Sequence, residues 1–523
     1  MAVNMSNIKN FEILDCTIRD GGYYTNWDFS DDTVDVYIEA FNDLPVEFIE
    51  IGYRSNPMNT YLGRFFYCPI HELKRIREKC RKKLAIILNE KDVREGDVEN
   101  LLAPCIGLID MVRIAVDPQN IERAVGLAKA VKKHGFIVAF NVMYMSEWSE
   151  NEEFIENLKL IGDDLDYFYM VDSFGGVTPD DVEFIFNKIR PILKSKIGFH
   201  GHNNLELALI NSLKAIELGA DIIDATVLGM GRGAGNLKTE LLLTFLQSKD
   251  IVKFDFNKLS LVIDEFAILH KQYDWGTNLP YMVSGANSLP QKMVMEWVTK
   301  RFYSFNSILR ALSNQSVGQR DNIQLPPFDF GRYRNHKKAL IVGGGSSIRE
   351  HSTALIQFLN ENEDILVIHA SAKNGLHFKS LNNQQIFCLI GNEGYRLESV
   401  FDKQEFSSNM TCILPPYPRK MGTYIPDIFK DNSFEIEKID FVKDYENSHT
   451  SLAIQTAIEL KIESLYLAGY DGYLNSMMDK KEQELFMENS NLFELAKNNI
   501  SEIKSLSPTK YENVETISIY SMI

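Results

Sequence analysis

The sequence predicts an α/β protein made of a closed barrel of eight strand–helix units and a second, smaller α/β domain. Short apolar runs alternate with longer amphipathic stretches from residue 11 to about residue 230. Eight such units in that length match a (β/α)8 TIM barrel, whose usual size is about 250 residues. The full length of 523 residues is more than one hydrophobic core normally serves. A further set of strand and helix patterns follows a polar stretch near residue 320.

The eight barrel strands are predicted from runs rich in Ile, Val and Phe. They are FEILDC from Phe11, EFIEIGY from Glu47, LAIILN from Leu84, DMVRIAV from Asp110, FIVAFNVM from Phe136, YFYMVDS from Tyr167, KIGFHGH from Lys196 and DIIDATV from Asp221. Helix signals support this division, because Thr178 and Pro179 are typical of a helix start and Gly135 and Gly219 of helix ends. An open doubly wound sheet would carry a glycine fingerprint after its first strand, which DCTIRDGG does not provide.

The predicted domain limits are 1–240 for the barrel, 241–318 for a helical extension of the barrel, 319–336 for a linker and 337–523 for the second domain. Within the extension, KQYDWGTNLPYMVSGANSLPQK is predicted to interrupt the helices. The linker is polar, contains Pro326 and Pro327, and has neither helical nor strand periodicity. KALIV, EDILVIHAS, QQIFCLIG and SLYLAGYDG are the predicted strands of the second domain.

Composition narrows the class of protein. A formal net charge of −17 argues against nucleic acid or an anionic membrane as a general partner. The 6 cysteines are widely spread and form no CxxC pair, as expected for thiols in a reducing compartment. MAVNMSNIKNFEIL lacks the pattern of an export signal, and no segment reaches the ~18 apolar residues that span a bilayer. We therefore expect a cytoplasmic protein.

Two imidazoles one residue apart form the first candidate site. His200 and His202 lie in KIGFHGHNN, at the end of predicted strand seven. Side chains at positions i and i+2 of a strand share a face, so both rings can converge on one divalent ion if the backbone is extended there. An ordinary polar loop explains the pattern equally well when HxH stands alone.

A charged pair after the first predicted strand adds to this candidate. Arg19 and Asp20 follow FEILDC and precede Gly21 and Gly22. Asp20 offers a carboxylate ligand beside the imidazoles, and Arg19 can stabilise negative charge on a bound substrate. The alternative is a surface ion pair in the turn between strand and helix.

More polar residues collect at the carboxyl ends of the predicted strands, where TIM-barrel enzymes keep their chemistry. Burying a polar group without a hydrogen-bond partner is unfavourable, so the accumulation of these residues at one end of the strands favours a shared pocket. The candidates for binding substrate are Arg113, Asn141, Asp172 and Ser173. In VLGMGRGAGN after strand eight, Asn236 is either a further group turned toward the pocket or only a helix N-cap. Tyr281 is either a pocket residue or, following Pro280, a packing residue.

The second domain starts with a strand, a glycine turn and a helix in KALIVGGGSSIREH. This turn offers backbone amides and a positive helix end to a phosphate or nucleotide-sugar. The candidate binding residues are Gly343, Gly344, Gly345, Ser346 and Ser347. Ile348 replaces the third glycine of a full dinucleotide motif, and no P-loop GK[ST] is present, so a plain tight turn is the alternative. Asp471 and Glu393 are candidates for contacting a ribose, a metal or a sugar.

Three segments together carry a family resemblance. DCTIRDGGYY, DSFGGVTP and GFHGHNNLELALINSLKAIELGADIIDATVLGMGRGAGN resemble the metal-dependent superfamily of 4-hydroxy-2-oxovalerate aldolase, hydroxymethylglutaryl-CoA lyase and isopropylmalate synthase. The resemblance covers residue 11 to about residue 300 and is nearest to the 4-hydroxy-2-oxovalerate aldolase branch, especially versions encoded among surface-polysaccharide genes. Through VGGGSS and LAGYDG, the second domain more faintly resembles the Rossmann-like domains of motility accessory factors and sialyltransferase-like proteins.

The resemblance implies a cofactor and a reaction. The cofactor is Mn²⁺ or Mg²⁺, held by Asp20, His200 and His202 with Asn236 as a further ligand. The reaction makes or breaks a C–C bond through the enolate of a 2-oxo acid such as pyruvate, with the guanidinium of Arg19 on the enolate oxygen.

The residue that moves the proton is left open by the sequence. The aldolase branch has a catalytic histidine where this chain has Tyr23, so Tyr23, Tyr281 and a metal-bound water are all candidates.

Two other functions fit the sequence. One is an acyl-CoA-dependent Claisen-type condensing enzyme, although no regulatory domain of the synthase type is evident. The other is binding or transfer of a nucleotide-sugar by the second domain, with the barrel as a scaffold. The expected partners are a small-molecule 2-oxo acid and an aldehyde, a nucleotide or nucleotide-sugar at the second domain, and further copies of the chain in a homo-oligomer.

Overall fold

The computed structural model describes residues 11–299, 303–401, 408–473, 478 and 480–523. The chain forms two compact units, Met1–Glu296 and Trp297–Ile523. Each unit has hydrophobic clusters of its own. The predicted limits at 240, 318 and 336 stay a prediction.

The first unit contains the predicted TIM barrel. Eight parallel strands pair in chain order, and pairing of the first with the eighth closes the barrel. They are β1 (Glu12–Asp15), β2 (Phe48–Tyr53), β3 (Lys83–Asn89), β4 (Met111–Val116), β5 (Ile137–Val142), β6 (Tyr167–Asp172), β7 (Lys196–Gly201) and β8 (Ile222–Ala225). Seven lie within the apolar runs that predict them, and β3 starts one residue before its run, so the barrel prediction is confirmed.

Helices surround this barrel and continue beyond it. They are α1 (Thr17–Thr25), α2 (Asp31–Asp43), α3 (Arg64–Tyr67), α4 (Ile70–Lys79), α5 (Val98–Leu102), α6 (Ile121–Lys132), α7 (Glu152–Asn157), α8 (Pro179–Ile189), α9 (Ala208–Leu218), α10 (Thr239–Ser248), α11 (Phe256–Tyr273), α12 (Leu279–Ala286) and α13 (Gln291–Thr299). Thr178 caps α8 in a capping box, and Gly219 ends α9 in the left-handed conformation, as predicted.

The predicted interruption of the helices is confirmed only in part, because residues 274–278 and 287–290 lie outside helices but the residues between them do not. The segment around Pro280 forms α12, because Pro280 occupies the first turn of the helix, where its missing N–H costs nothing. The side chain of Asn278 caps the same helix by accepting from the backbone N–H of Tyr281 at 3.1 Å. The proline therefore marks a helix start.

The second unit contains a parallel sheet of eight strands with the order β13-β12-β11-β10-β9-β14-β15-β16. The strands are β9 (Lys338–Val342), β10 (Leu366–His369), β11 (Gln385–Cys388), β12 (Met410–Leu414), β13 (Ser433–Glu435), β14 (Ser464–Ala468), β15 (Glu502–Ser505) and β16 (Glu515–Thr516). The helices are α14 (Phe305–Ser316), α15 (Ser347–Glu361), α16 (Glu393–Val400), α17 (His449–Glu459) and α18 (Lys480–Ala496). The chain leaves β9 in one direction and returns to its other side at β14, which makes a topological switch point there.

The proline-containing segment 319–336 packs into this second unit. The side chains of Phe328 and Tyr333 stack at a centroid distance of 5.3 Å and belong to its hydrophobic cluster. The buried Asp321 pairs with Arg419 at 3.1 Å. Among the described residues, no helix combines the length and the apolar character that crossing a bilayer requires.

Candidate functional site

Arg19 and Asp20 are placed by a helix that starts directly after the first barrel strand. β1 ends at Asp15 and α1 begins at Thr17, so both side chains lie at the carboxyl end of the barrel. The ring nitrogen of Trp27 donates to the carbonyl oxygen of Arg19 at 2.9 Å. A side-chain carbon on Gly22 would overlap the Trp27 indole at 2.1 Å, so glycine allows this close packing. Both charged residues are buried.

The carboxylate of Asp20 joins groups from both ends of the barrel sequence. Its Oδ2 accepts from Nδ2 of Asn236 at 2.7 Å and lies 3.6 Å from Nε2 of His200. Its Oδ1 pairs with the guanidinium of Arg19. Burial opposes ionisation, but the positive charge of Arg19, followed by His200 and His202, holds the pKa of Asp20 below its usual value. Asp20 is therefore a carboxylate.

The two predicted imidazoles lie together, with their Nδ1 atoms engaged. Nδ1 of His202 is 2.6 Å from the carbonyl oxygen of Asp172, and Nδ1 of His200 is 2.8 Å from Oδ2 of Asp224. A carbonyl oxygen can only accept, so Nδ1 of His202 carries the proton and its Nε2 keeps a lone pair. Burial, followed by His200 and Arg232, lowers the pKa of His202 to about 3. A neutral imidazole held in this way is the form that ligates metals.

The glycine segment after β8 brings Asn236 to this cluster. Asn236 pairs with His202 in a short antiparallel bridge. The N–H of Asn203 donates to the carbonyl of Gly235 at 2.8 Å, and the N–H of Leu237 to that of Gly201 at 3.1 Å. Oδ1 of Asn236 is buried and has no hydrogen-bond partner among the described residues. An oxygen in that state suits a divalent cation, so the four predicted ligands fit a metal.

A second group of potential ligands lies beside the first. One ligand atom each of Cys16, His200 and Asp224 lie within 4.8 Å of one another. We favour the predicted set for two reasons. Asp224 already pairs with Arg113 and His200. Burial, followed by the charge of Asp20, raises the pKa of Cys16 well above its usual value, which keeps its sulfur protonated.

A charged network below the pocket was not predicted. Glu50 of β2 accepts from Nε of Arg19 at 2.7 Å and from Nη1 of Arg113 at 3.1 Å. Asp224 of β8 accepts from Nη2 of Arg113 and contacts His200. Both acids lie within apolar strands, and a charge there needs a partner. The free-energy cost of an unpaired buried charge was the signal in the sequence that could have found Glu50 and Asp224. Their contacts indicate that these two acids position Arg19 and His200.

The four predicted substrate-binding residues are all buried, and each has at least one polar atom bonded within the barrel. Nε of Arg113 donates to Oδ1 of Asn141 at 2.8 Å, and the guanidinium lies over the Tyr169 ring at 4.2 Å. Oδ1 of Asp172 accepts from the N–H of Gly175 at 2.9 Å. Oγ of Ser173 accepts from the N–H of Tyr144 at 2.9 Å. These contacts hold the loops around the pocket, and direct substrate binding by the four residues stays a prediction.

The two predicted catalytic tyrosines have different surroundings. Tyr23 is half-buried in α1, with its hydroxyl 3.4 Å from that of Tyr53 and the guanidinium of Arg232 5.2 Å above its ring. Tyr281 is buried on α12, and burial raises its pKa far above the usual value. Tyr23 is the more accessible of the two for a proton transfer.

A separate cavity of about 790 Å³ lies in the second unit, at the carboxyl ends of its central strands. Its lining includes Gly343, Gly344, Gly345, Ser346, Ser347, Lys373, Glu393, Arg396 and Asp471. Asp471 already occupies the start of α15, because its Oδ2 accepts from the N–H of Ser347 at 3.0 Å. Gly344 faces open space, with Oγ of Ser371 the nearest atom to an added side-chain carbon at 3.7 Å.

Known proteins match this chain over its barrel. The sequence model of the HMGL-like family matches residues 109–263. A 4-hydroxy-2-oxovalerate aldolase of Geobacillus genomosp. 3 is 31% identical over 255 residues, which cover 46% of this chain and 71% of that relative. An oxaloacetate decarboxylase of Mycobacterium tuberculosis is 26% identical over 333 residues, which cover 61% of this chain and 95% of that relative.

A solved structure extends the match. The crystal structure of the N-terminal domain of a proposed aldolase from Bacteroides vulgatus is 56% identical, with a TM-score of 0.55. It covers 58% of this chain and 100% of its own. This chain therefore belongs to the HMGL-like family, as an aldolase-like enzyme.

Proposed function

We propose that the barrel makes or breaks a C–C bond through the enolate of a 2-oxo acid such as pyruvate, with a divalent metal as cofactor. The observation that carries this proposal is the meeting of Asp20, His200, His202 and Asn236 beside the guanidinium of Arg19. The names of the relatives support the class of reaction, since one is a 4-hydroxy-2-oxovalerate aldolase and another an oxaloacetate decarboxylase.

The cation would be Mn²⁺ or Mg²⁺, held by the four residues of this cluster. When bound, such an ion supplies a Lewis acid for the carboxylate and keto oxygens of the 2-oxo acid. Oxygen and neutral imidazole donors suit both ions.

The guanidinium of Arg19 stabilises the negative charge that develops on the keto oxygen of the substrate. Its Nε donates to Glu50 and its Nη1 to Asp20. Within the described part of the chain, Nη2 has no hydrogen-bond partner, so its N–H groups are left for the substrate. Glu50 holds the guanidinium of Arg19 in a fixed orientation, because Glu50 also pairs with Arg113. We propose Tyr23 as the group that moves the proton, because Tyr23 is the less buried of the two tyrosines.

Exchange of the pyruvate methyl protons tests this function directly. We expect the protein with Mn²⁺ in heavy water to deuterate the methyl group, followed by NMR. Arg19→Gln should slow exchange by about 10²–10³-fold, the usual effect of losing one oxyanion donor. Arg81→Gln is the matched control, because Arg81 precedes β3 at the opposite end of the barrel. Absence of exchange in the wild type, or equal rates in wild type and Arg19→Gln, would contradict the proposal.

The cavity of the second unit supports another proposed function, binding of a nucleotide or nucleotide-sugar by a Rossmann-like domain. The cavity lies where the strand order reverses, which is where open parallel sheets bind ligands. Nζ of Lys373 donates to the carbonyl of Gly344 at 3.1 Å, which places a positive charge beside the glycine turn. A phosphate would approach Gly344 and Lys373, because the amide of Ser347 already donates to Asp471. The two ligands together suit the making of a surface-polysaccharide sugar.

Calorimetry of the full chain against CMP-sugars and UDP-sugars tests this second function. We expect binding in the wild type and at least about tenfold weaker binding in Lys373→Gln, because one phosphate contact is lost. Lys430→Gln is the control, since Lys430 is exposed and outside the cavity lining. No heat of binding with either series would contradict the assignment.

A further inference from the structure

We propose that Arg232 binds an anionic group on the acceptor carbonyl compound, so that the preferred acceptor is a carboxylate- or phosphate-bearing aldehyde. This inference rests on the proposed aldolase function and deepens it by naming the chemical class of the second substrate.

Arg232 lies beside Tyr23, the proposed proton-transfer residue, at the carboxyl end of the barrel. It belongs to the segment between β8 and α10, which also carries Asn236. Its guanidinium carbon is 5.2 Å from the ring centre of Tyr23, and Tyr23 lies one helical turn after Asp20 in α1. Arg232 therefore lies close enough to Tyr23 to contact a substrate bound beside that residue.

The positive charge of Arg232 has no counter-ion in the described part of the chain. Arg19 pairs with Asp20 and Glu50, and Arg113 pairs with Glu50 and Asp224. No described carboxylate lies within 4.0 Å of the half-buried Arg232, and its side chain makes no hydrogen bond to a described residue. A partly desolvated guanidinium without an acidic partner is suited to recognise a carboxylate or a phosphate.

The backbone around Arg232 is fixed, which gives its side chain a defined position. The N–H of Gly235 donates to the carbonyl of Arg232 at 3.3 Å, and the hydroxyl of Tyr24 donates to that of Gly233 at 3.1 Å. Gly233 has a φ of +68° and Gly235 one of +77°, a region that favours glycine. Because its backbone is held in this way, Arg232 loses little conformational entropy when it binds a ligand.

The proposed condensation is compatible with a contact between Arg232 and the anionic group of the acceptor. The methyl carbon of the 2-oxo acid loses a proton and, as the enolate carbon, attacks the carbonyl carbon of the acceptor. One C–C bond forms, the carbonyl π bond breaks, and the resulting alkoxide takes up a proton to give a 4-hydroxy-2-oxo acid. The anionic group of the acceptor takes no part in these steps, so it can be held by Arg232 throughout.

Pairs of neutral and anionic acceptors test whether Arg232 recognises the acceptor or instead acts on pyruvate. Condensation of pyruvate is measured with acetaldehyde against glyoxylate, and with glyceraldehyde against glyceraldehyde 3-phosphate, in the wild type and Arg232→Gln. We expect Arg232→Gln to lower kcat/KM for the anionic acceptors by about 10–100-fold more than for the neutral ones, because a charge-assisted contact is lost. Whether glyoxylate or the phosphate loses more identifies the anion. Arg81→Gln should leave all four acceptors unchanged.

Two results would overturn the proposal in distinguishable ways. Equal losses for neutral and anionic acceptors, or a loss of pyruvate methyl exchange as large as the loss with anionic acceptors, would place Arg232 on the donor side. Absence of methyl exchange in the wild type would instead remove the proposed aldolase function itself. A purified Arg232→Lys variant that recovers part of the preference for anionic acceptors would support charge recognition over a purely structural role.

Discussion

Single residues set the orientation of the two imidazoles. His202 is oriented by a backbone carbonyl of β6, whereas His200 is oriented by the carboxylate of Asp224 on β8. Asp224 is in turn held by Arg113, which has no exposed surface. Such outer partners fix a ligand's tautomer and raise its basicity. In our proposal, the metal affinity of this site therefore depends on Asp224, an acid that does not itself bind the cation.

Two substitutions at this scale distinguish the predicted ligands from the neighbouring cysteine group. Cys16→Ser should leave the Mn²⁺ affinity within about twofold, because the protonated sulfur is not a ligand in our account. Asp224→Asn should weaken Mn²⁺ binding by about 10–100-fold through loss of His200 orientation. Calorimetry with Mn²⁺ alone measures both, and far-ultraviolet circular dichroism checks folding. Loss of binding in Cys16→Ser would assign the cation to Cys16, His200 and Asp224.

At the scale of elements, the glycine segment after β8 positions Asn236. A side-chain carbon on Gly231 would lie 2.6 Å from Nδ2 of Asn236, closer than atoms can approach. The backbone there must pass beside the amide that contacts Asp20. The glycines of this segment are therefore part of the site's construction.

Gly231→Ala should displace the side chain of Asn236 and weaken Mn²⁺ binding by about tenfold while the barrel stays folded, since only a loop is disturbed. Gly162→Ala is the control, because no atom lies within 4 Å of the added carbon and its φ is not in the left-handed region. Wild-type affinity in Gly231→Ala would show that Asn236 contributes little to the cation.

Asp15 joins four elements at the end of β1. Its carboxylate accepts from the N–H of Thr17 at 3.0 Å, from the hydroxyl of Tyr37 at 2.6 Å, and from the hydroxyls of Thr17 and Thr239. Burial nevertheless outweighs these donors and raises the pKa of Asp15 to about 6. The folded state therefore binds a proton at Asp15 more tightly than the unfolded state.

This shift predicts a pH dependence. Because the folded pKa lies above the unfolded value of 3.8, the contribution of Asp15 to stability falls as pH rises from about 4 to about 6, by at most about 1.4 kcal/mol per pH unit. Asp15→Asn does not titrate, so the thermal midpoint of the wild type relative to this variant should decrease over the same range. An increase would mean that the four donors keep Asp15 ionised.

At the scale of the whole molecule, the barrel could be predicted from the sequence because each strand lies in a mostly apolar run. A parallel barrel buries both faces of its strands, which produces that pattern directly. The second sheet was only partly predicted. Among its strands, β15 contains Glu502 and Lys504, and β16 begins with Glu515, so neither has an apolar run.

The site residues that belong to a short sequence motif could be predicted. The site residues that come together only when the chain folds could not. HGHN and RDGG named His200, His202 and Asp20. Glu50 and Asp224 were missed, because a single acid inside an apolar strand does not reveal which distant arginine pairs with it. The contact of Asp471 with Ser347 was missed for the same reason, since the two lie 124 residues apart.

The most direct test is a crystal of the protein soaked with Mn²⁺ and measured at a wavelength where manganese scatters anomalously. Our account predicts one strong peak bound by the Asp20 carboxylate and by Nε2 of both His200 and His202. A peak among Cys16, Nδ1 of His200 and Asp224, or none at the carboxyl end of the barrel, would contradict it.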